Sequence, residues 1–298
     1  MPIYPNFYQT LSACPIVELR GYAAACGLKG RLYAYLDFAG PTGTARDGLA
    51  EGMLALAIEK KKLNTGQPII EAASGPFAAA LTLAGLTAGH PVVLVMPEDA
   101  PALRQETLLR LGAQIRHSPA RSGVNGARRL AAQTAAANGW YYMDWLANDD
   151  NPEYHRRVTG PQILKAAGDA IDAVVIGVGS GGTITGVAEY LKAWNSMIRI
   201  VAVEPSECAA ISGGFIGHHS IAGIGPGFVP ENYNPYVVDT VLTVSSADAE
   251  RAAREVLFYD GIPACSSAGA TLCAATQLMG TGKCNRPLCI FAGRRTYE

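Results

Sequence analysis

The sequence predicts an α/β protein in which parallel, twisted sheets are flanked by helices. Short β-branched runs at residues 68–72, 91–96, 172–178 and 199–205 alternate with longer helical patterns. The helical patterns start at Phe77, at residue 102 and at Ile184. Since parallel strands need a crossover that is usually a helix, this alternation predicts βαβ units with helices on both faces of the sheets.

Length and charge set the class of protein. The chain has 298 residues, 49% of them apolar, and a formal net charge of −1. Two lobes are expected, because single cores usually stop growing near ~250–300 residues. The near-neutral charge offers no basic field for nucleic acid. The first ten residues do not read as a leader, and no apolar run reaches the ~18–20 residues of a membrane span. We therefore expect a cytoplasmic protein without a membrane or nucleic-acid partner.

The cysteines carry no metal or disulfide pattern. There are seven, scattered along the chain, odd in number and without CxxC spacing. This arrangement argues against both a zinc site and a disulfide framework. The sequence predicts no metal site.

A glycine-rich turn follows the apolar strand that ends at Val178. It reads Gly179-Ser180-Gly181-Gly182-Thr183-Ile184-Thr185-Gly186, and a helical pattern begins within it. Glycines let backbone N–H groups converge on an anion, and a helix N-terminus adds about half a positive charge. The hydroxyls of Ser180, Thr183 and Thr185 can add donors. The sequence predicts a phosphate-binding loop over residues 179–183.

Two other interpretations of this loop stay open. Gly177, Gly179 and Gly182 also fit GxGxxG, and Glu204 closes a following strand about 20 residues later, as a ribose-binding acid would. A nicotinamide cofactor is therefore an alternative. The turn can also be a tight strand-to-helix connection that binds no ligand.

Several further segments carry a family resemblance. Asn-Pro-x-x-His stands at 151–155, Val-Glu-Pro at 203–205 and Gly-Ile-Gly-x-Gly-Phe-Val-Pro at 223–230. With the glycine loop and with segments 15–19, 32–43 and 97–105, they resemble the cysteine synthase and cystathionine β-synthase family. Its members are fold-type II enzymes that use pyridoxal 5′-phosphate (PLP).

The resemblance implies an architecture and an assembly. The expected architecture is the two-lobed, tryptophan synthase β-like one. A smaller, mobile lobe is expected over residues 43–145, and a larger lobe over 1–42 and 146–298 that carries the glycine loop. A homodimer is also expected.

The chain departs from the family at the cofactor lysine. Family members carry Asn-Pro-Ser/Thr-Gly-Ser-x-Lys-Asp-Arg, whose lysine forms an imine with PLP. This chain reads Gly40-Pro41-Thr42-Gly43-Thr44-Ala45-Arg46-Asp47-Gly48. A guanidinium, with a pKa above about 12, is a poor nucleophile. PLP is therefore not expected as a lysine imine, and Arg46 is predicted to clamp an anion. The alternative is a salt bridge from Arg46 to Asp47 or Glu51.

The substrate loop also departs. The family's Thr-Ser-Gly-Asn-Thr-Gly corresponds to Ala73-Ser74-Gly75-Pro76-Phe77-Ala78, and the Gln of a third substrate contact falls on Trp145. Pro76 lacks the backbone N–H, and Phe77 replaces a hydroxyl with a ring. A substrate site, if kept, would involve Ser74, Gly75, Phe77 and Trp145 without the original donors.

A serine pair is retained near the C-terminus. Cys265-Ser266-Ser267-Ala268-Gly269 resembles the family's Ile-Ser-Ser-Gly-Ala, where one serine meets the pyridine nitrogen. The alternative for Ser266 and Ser267 is a helix N-cap ahead of residues 268–278. The final segment, 291–298, differs from the family's Ser-Gly-Glu-Arg-Tyr.

The leading hypothesis is a repurposed member, or pseudoenzyme, that binds an anionic small molecule or a partner protein without ordinary β-replacement. One alternative is an active enzyme that uses PLP or another phosphate ligand non-covalently. A nicotinamide-dependent oxidoreductase is the second alternative.

Overall fold

The structure is a computed structural model that describes residue 3, residues 7–11 and residues 14–295. The end of the divergent C-terminal segment, residues 296–298, lies outside the described residues. The strands are β1 (Ile16–Glu18), β2 (Tyr33–Leu36), β3 (Ile69–Ala72), β4 (Val92–Pro97), β5 (Gln114–Ser118), β6 (Tyr141–Tyr142), β7 (Ala173–Gly177), β8 (Arg199–Pro205), β9 (Thr240–Val244) and β10 (Pro287–Phe291). The α-helices are α1 (Arg20–Ala25), α2 (Arg46–Glu59), α3 (Pro76–Thr87), α4 (Ala102–Arg110), α5 (Gly123–Asn138), α6 (Asp150–Tyr154), α7 (Gly160–Ala167), α8 (Gly182–Trp194), α9 (Ser246–Asp260) and α10 (Ser266–Gly280).

The first of two compact units comprises Met1–Ala45 and Asn151–Glu298. Its sheet has the order β1-β2-β10-β7-β8-β9, in which β1 pairs antiparallel and the other neighbours pair parallel. Along β7, Val175 packs in the core cluster that contains residues of α9 and α10, whereas Val174 packs in the cluster that contains residues of α7 and α8. Because both faces of the sheet are covered, its central strands are continuous apolar runs.

The second unit is Arg46–Asp150. Its sheet has the order β5-β4-β3-β6 and is parallel throughout. Ile70 and Val93 pack against the alanine-rich face of α5. The predicted lobe boundaries, 43–145 against 1–42 with 146–298, and the predicted motion of the smaller lobe stay predictions.

The α/β prediction is confirmed, with four predicted strands at β3, β4, β7 and β8. The helix predicted from Ile184 begins two residues earlier, at Gly182. The Asn and Pro content of residues 149–152 predicts a loop, and that prediction is wrong, because α6 begins at Asp150. The Asp150 N–H donates to Asn148 Oδ1 at 3.0 Å, which satisfies a backbone donor at the start of that helix. Within the described ranges, none of the helices has the length and apolar character that a membrane crossing requires.

Candidate functional site

The glycine loop joins β7 to α8 inside the first unit. Gly181 has a φ of +83°, a left-handed conformation that favours glycine. Because α8 starts at Gly182, the backbone N–H groups of Gly182 and Thr183 belong to its first turn. The first four N–H groups of an α-helix have no acceptor within the helix, so they are suited to an anion.

Packing requires three of these glycines. A Cβ on Gly181 would lie 2.7 Å from the backbone N of Tyr233, and one on Gly182 would lie 1.8 Å from Asn151 Oδ1. On Gly186 it would lie 2.2 Å from the carbonyl oxygen of Pro152. The number of glycines is therefore not evidence for an anion by itself. The groups that can bind an anion are the N–H groups and hydroxyls of the loop.

Not all of the predicted hydroxyl donors are available. Thr185 Oγ1 donates to the carbonyl oxygen of Asn232 at 2.7 Å and accepts from the Asn234 N–H at 2.9 Å. The prediction that Thr185 can donate to a phosphate is therefore wrong, since its proton is already used. Ser180 Oγ accepts from Asn151 Nδ2 at 3.1 Å and, over a longer 3.5 Å, from the Gly182 N–H, which leaves the serine proton able to donate.

Thr183 belongs to a chain of polar groups that the sequence reasoning did not single out. Its Oγ1 lies 3.1 Å from Nε2 of His155, and Nδ1 of His155 lies 2.8 Å from Oγ1 of Thr159. His155 is 1% exposed. The Asn-Pro-x-x-His motif at 151–155 was the signal that could have identified both Asn151 and His155.

Ser266 and Ser267 are the first two residues of α10, and the N-cap is Cys265. The N-cap alternative for this serine pair is therefore wrong, because the helix begins two residues before residue 268. Ser266 Oγ accepts from the Ala222 N–H at 3.3 Å. Ser267 Oγ lies 3.1 Å from Cys265 Sγ. An acceptor bond leaves the Ser266 proton able to donate to another group.

Glu204, the acid that the nicotinamide alternative requires, is already bonded within the protein. The carboxylate of Glu204 is buried and accepts from the backbone N–H groups of Ile211 and Ser212, at 2.8 and 2.9 Å, and from the Ser212 hydroxyl. It holds the start of the long loop after β8, so the nicotinamide interpretation loses its ribose-binding acid. In the described ranges, no three or more His, Cys, Asp or Glu side chains are placed to hold a metal ion.

Arg46 is the first residue of α2 and is half-buried. The chain leading to it is fixed in the first unit. The Ala45 N–H donates to the Ala292 carbonyl at 2.8 Å, and the Arg294 N–H donates to the Gly43 carbonyl at 3.0 Å. The anion clamp and the salt bridge to Asp47 or Glu51 both stay predictions for Arg46.

The segment that corresponds to the substrate loop connects β3 to α3 in the second unit. Ser74 lies in this connection, Gly75 is the N-cap of α3, and Pro76 occupies the first turn, where its missing N–H costs little. Phe77 is buried and stacks on Trp145, with ring centroids 4.4 Å apart and planes 12° apart. An aromatic pair therefore stands where the family resemblance places hydrogen-bond donors.

Glu71 holds one member of this aromatic pair in place. It lies on β3 and is 1% exposed. Its Oε2 accepts from the Trp145 N–H at 3.0 Å, and its Oε1 accepts from the Ala72 N–H at 2.6 Å. Burial raises the pKa of Glu71 to about 8. The sequence signal was a glutamate within an otherwise apolar strand.

Glu71 should make stability depend on pH. Between the ordinary glutamate pKa near ~4.3 and about 8, the folded protein holds a proton that the unfolded chain releases. The free energy of unfolding should therefore fall as pH rises through this range. Glu71→Gln should remove that slope, and it should cost about 1–2 kcal/mol at pH 5.5, because the amide NH₂ cannot accept from a backbone N–H.

Urea unfolding at pH 5.5, 7 and 9 measures this effect. The control is Glu106→Gln, which alters a glutamate with a 55% exposed side chain on α4. If the free energies of unfolding of the parent and of Glu71→Gln differ by the same amount at all three pH values, Glu71 does not titrate as described.

The parallel sheets flanked by helices, with a glycine-rich turn at the start of α8, define a class of α/β proteins with a candidate anion site. The chain belongs to the family described as pyridoxal-phosphate dependent enzymes, which it matches over residues 9–293. Together with the relatives that follow, this match confirms the resemblance to the cysteine synthase and cystathionine β-synthase group.

Individual relatives support the same family. The chain is 33% identical to the cysteine synthase of Staphylococcus aureus strain Mu50 over 282 residues, which cover 93% of this chain and 90% of that protein. The structure of O-acetyl serine sulfhydrylase isoform 3 from Entamoeba histolytica has a TM-score of 0.92 and 31% identity, over 98% of this chain and 89% of that one. An O-acetylserine dependent cystathionine β-synthase from Helicobacter pylori has a TM-score of 0.89 and 27% identity, over 99% and 96% of the two chains.

Proposed function

We propose that this chain is a repurposed member of the PLP-dependent family that binds an anionic small molecule without ordinary β-replacement activity. The observation that carries the proposal is Arg46, which stands in the segment that resembles the family's lysine motif. An arginine cannot form the imine on which the family's chemistry depends.

The donors at the start of α8 support the anion half of the proposal. The backbone N–H groups of Gly182 and Thr183, with the hydroxyls of Ser180 and Thr183, fit the phosphate of PLP or of another phosphorylated compound. Ser266 would donate to a pyridine nitrogen. PLP, when bound, supplies an electron sink for a carbanion. Residue 46 does not fit its aldehyde, because a guanidinium does not form an imine with it.

The position of Arg46 supports an anion clamp. A cation at the N-terminus of a helix is disfavoured by the helix dipole by roughly 0.3–1 kcal/mol. A guanidinium can pair with a bound phosphate or carboxylate in bidentate geometry.

We predict that the isolated protein carries no lysine imine. Lys60, Lys61 and Lys62 follow the end of α2, almost four turns from Arg46. Visible absorbance, followed by borohydride reduction and peptide mapping, measures this. A reducible yellow band that maps to any lysine would contradict the proposal.

O-acetylserine and serine should not bind measurably. Pro76 and Phe77 provide neither the N–H nor the hydroxyl that the family offers to a substrate carboxylate. Losing two or three such bonds, at roughly 1.5–3 kcal/mol each, weakens affinity by about two to six powers of ten. Calorimetry with O-acetylserine in the presence of PLP tests this expectation, and binding at micromolar concentration would overturn it.

Two alternatives have distinct outcomes in the same assays. An active enzyme that uses PLP non-covalently would bind PLP without a reducible band and would turn over an amino acid. A protein that acts on a partner would bind a protein and no small anion. A homodimer is also proposed from the family resemblance, and analytical ultracentrifugation tests it.

A further inference from the structure

The polar chain Thr159–His155–Thr183 has a packing cause in the first unit. His155 opens a π-helical turn, His155–Thr159, which brings its ring against the hydroxyl of the turn's last residue. On α8, a Cβ at Gly186 would lie 2.7 Å from Cβ of His155. Thr183 lies three residues before Gly186 on the same helix face, so the close approach at glycine sets the ring beside the Thr183 hydroxyl.

The proton positions in this chain have two arrangements when the imidazole is neutral, because one ring nitrogen then donates and the other accepts. In the first, Nδ1–H donates to Thr159 and Nε2 accepts the proton of Thr183. Thr183 then presents only lone pairs, which repel the lone pairs of a phosphate oxygen. In the second, Thr159 donates to Nδ1 and Nε2–H donates to Thr183 Oγ1. The Thr183 proton is then available to the anion.

We propose that His155 is a positioning residue of the anion site: its Nε2–H donates to Thr183 Oγ1 and directs the threonine proton to the bound anion. The inference rests on the proposed function, since it assumes that an anion binds at the start of α8. It adds that anion binding selects one tautomer of a buried histidine.

Nitrogen NMR tests the tautomer directly in the full-length protein. The ¹⁵N shifts of His155 are measured with and without inorganic phosphate and assigned by comparison with His155→Gln. With phosphate bound, Nε2 should carry a proton. If Nε2 is unprotonated in the phosphate-bound protein, the inference is overturned.

A double-mutant cycle separates positioning from packing. Thr183→Val should weaken phosphate binding by about ten- to a hundredfold, and His155→Leu by about five- to thirtyfold. In the Thr183→Val background, His155→Leu should change the affinity by less than about twofold. If His155→Leu lowers the phosphate affinity equally in the parent and in Thr183→Val, His155 acts only through packing, and the inference is overturned.

Two amide variants of His155 differ in whether their side chain is long enough to reach Thr183 Oγ1. The amide nitrogen of glutamine can replace Nε2–H, so His155→Gln should retain most of the affinity, whereas His155→Asn is too short and should not. His90→Leu is the control, because His90 is also buried but bonds the Gln67 carbonyl in the second unit. If the parent does not bind phosphate, the proposed function fails. If it binds while Nε2 is unprotonated or the cycle is additive, only this inference fails.

Discussion

Arg46→Lys is expected to turn the protein yellow when PLP is supplied. If residue 46 occupies the imine position of the family, a lysine there would condense with the aldehyde of PLP and release water. Partial burial at the start of α2 would lower the pKa of the amine and favour its reactive neutral form. A reducible absorbance band that maps to residue 46 is the expected result.

This variant should not turn over O-acetylserine. Pro76, Phe77 and Trp145 still deny a substrate carboxylate its donors, and catalysis needs reactants held within a fraction of an ångström of the productive geometry. Adding Pro76→Asn and Phe77→Thr should restore some acetate release. It should stay below that of a native family member, because Gly40 still stands where the family motif has an asparagine. Phe77→Thr also removes a buried ring from the stack on Trp145, so the folded fraction must be measured alongside.

The control for Arg46→Lys is Arg110→Lys, which adds a lysine at an exposed position of α4. It should give no band. If Arg46→Lys gives no band either, residue 46 does not align with the family's lysine. Rapid turnover by Arg46→Lys alone would mean that the substrate loop has been misinterpreted.

The fold was predictable where burial leaves a local pattern. The apolar runs at β7 and β8 are continuous because both faces of the sheet are covered. The strand β5 could not be predicted in the same way. In the part of the chain that the structure describes, it lies at the edge of its sheet beside β4, and its sequence Gln-Ile-Arg-His-Ser is largely exposed and polar.

The sequence predicted where the glycine loop lies, but not the contacts and hydrogen bonds of its individual residues. The strand–glycine–helix pattern locates the loop, since it depends on neighbours in sequence. Glycine is required at 182 and 186 because residues 151–152 approach the backbone closely there. The Thr185 hydroxyl donates its proton to the Asn232 carbonyl oxygen. Each of these depends on chain segments far apart in sequence, which a local pattern does not show. Glu71 and its bond to Trp145 were missed for the same reason.

Gly181→Asp is expected to abolish the binding of inorganic phosphate, with at least a hundredfold loss of affinity. The new carboxylate repels the anion at the point where backbone donors must approach it. A steric clash would also weaken phosphate binding, because the new Cβ would lie 2.7 Å from the backbone N of Tyr233. Gly181→Asn has nearly the same shape without the charge, so it should bind phosphate more weakly than the parent and more strongly than Gly181→Asp.

The matched control for Gly181→Asp is Gly213→Asp, which adds the same charge at a left-handed glycine with a φ of +74°. Among the described residues, its chain neighbours apart, no atom lies within 4 Å of the new Cβ. It should bind phosphate as the parent does. Calorimetry gives the affinities, and thermal unfolding shows whether Gly181→Asp and Gly181→Asn lose similar stability, expected at about 1–3 kcal/mol. Similar stability with different affinity would assign the loss to charge at an anion site. If Gly181→Asp binds phosphate as tightly as the parent, the loop is a strand-to-helix turn, and the anion must bind elsewhere.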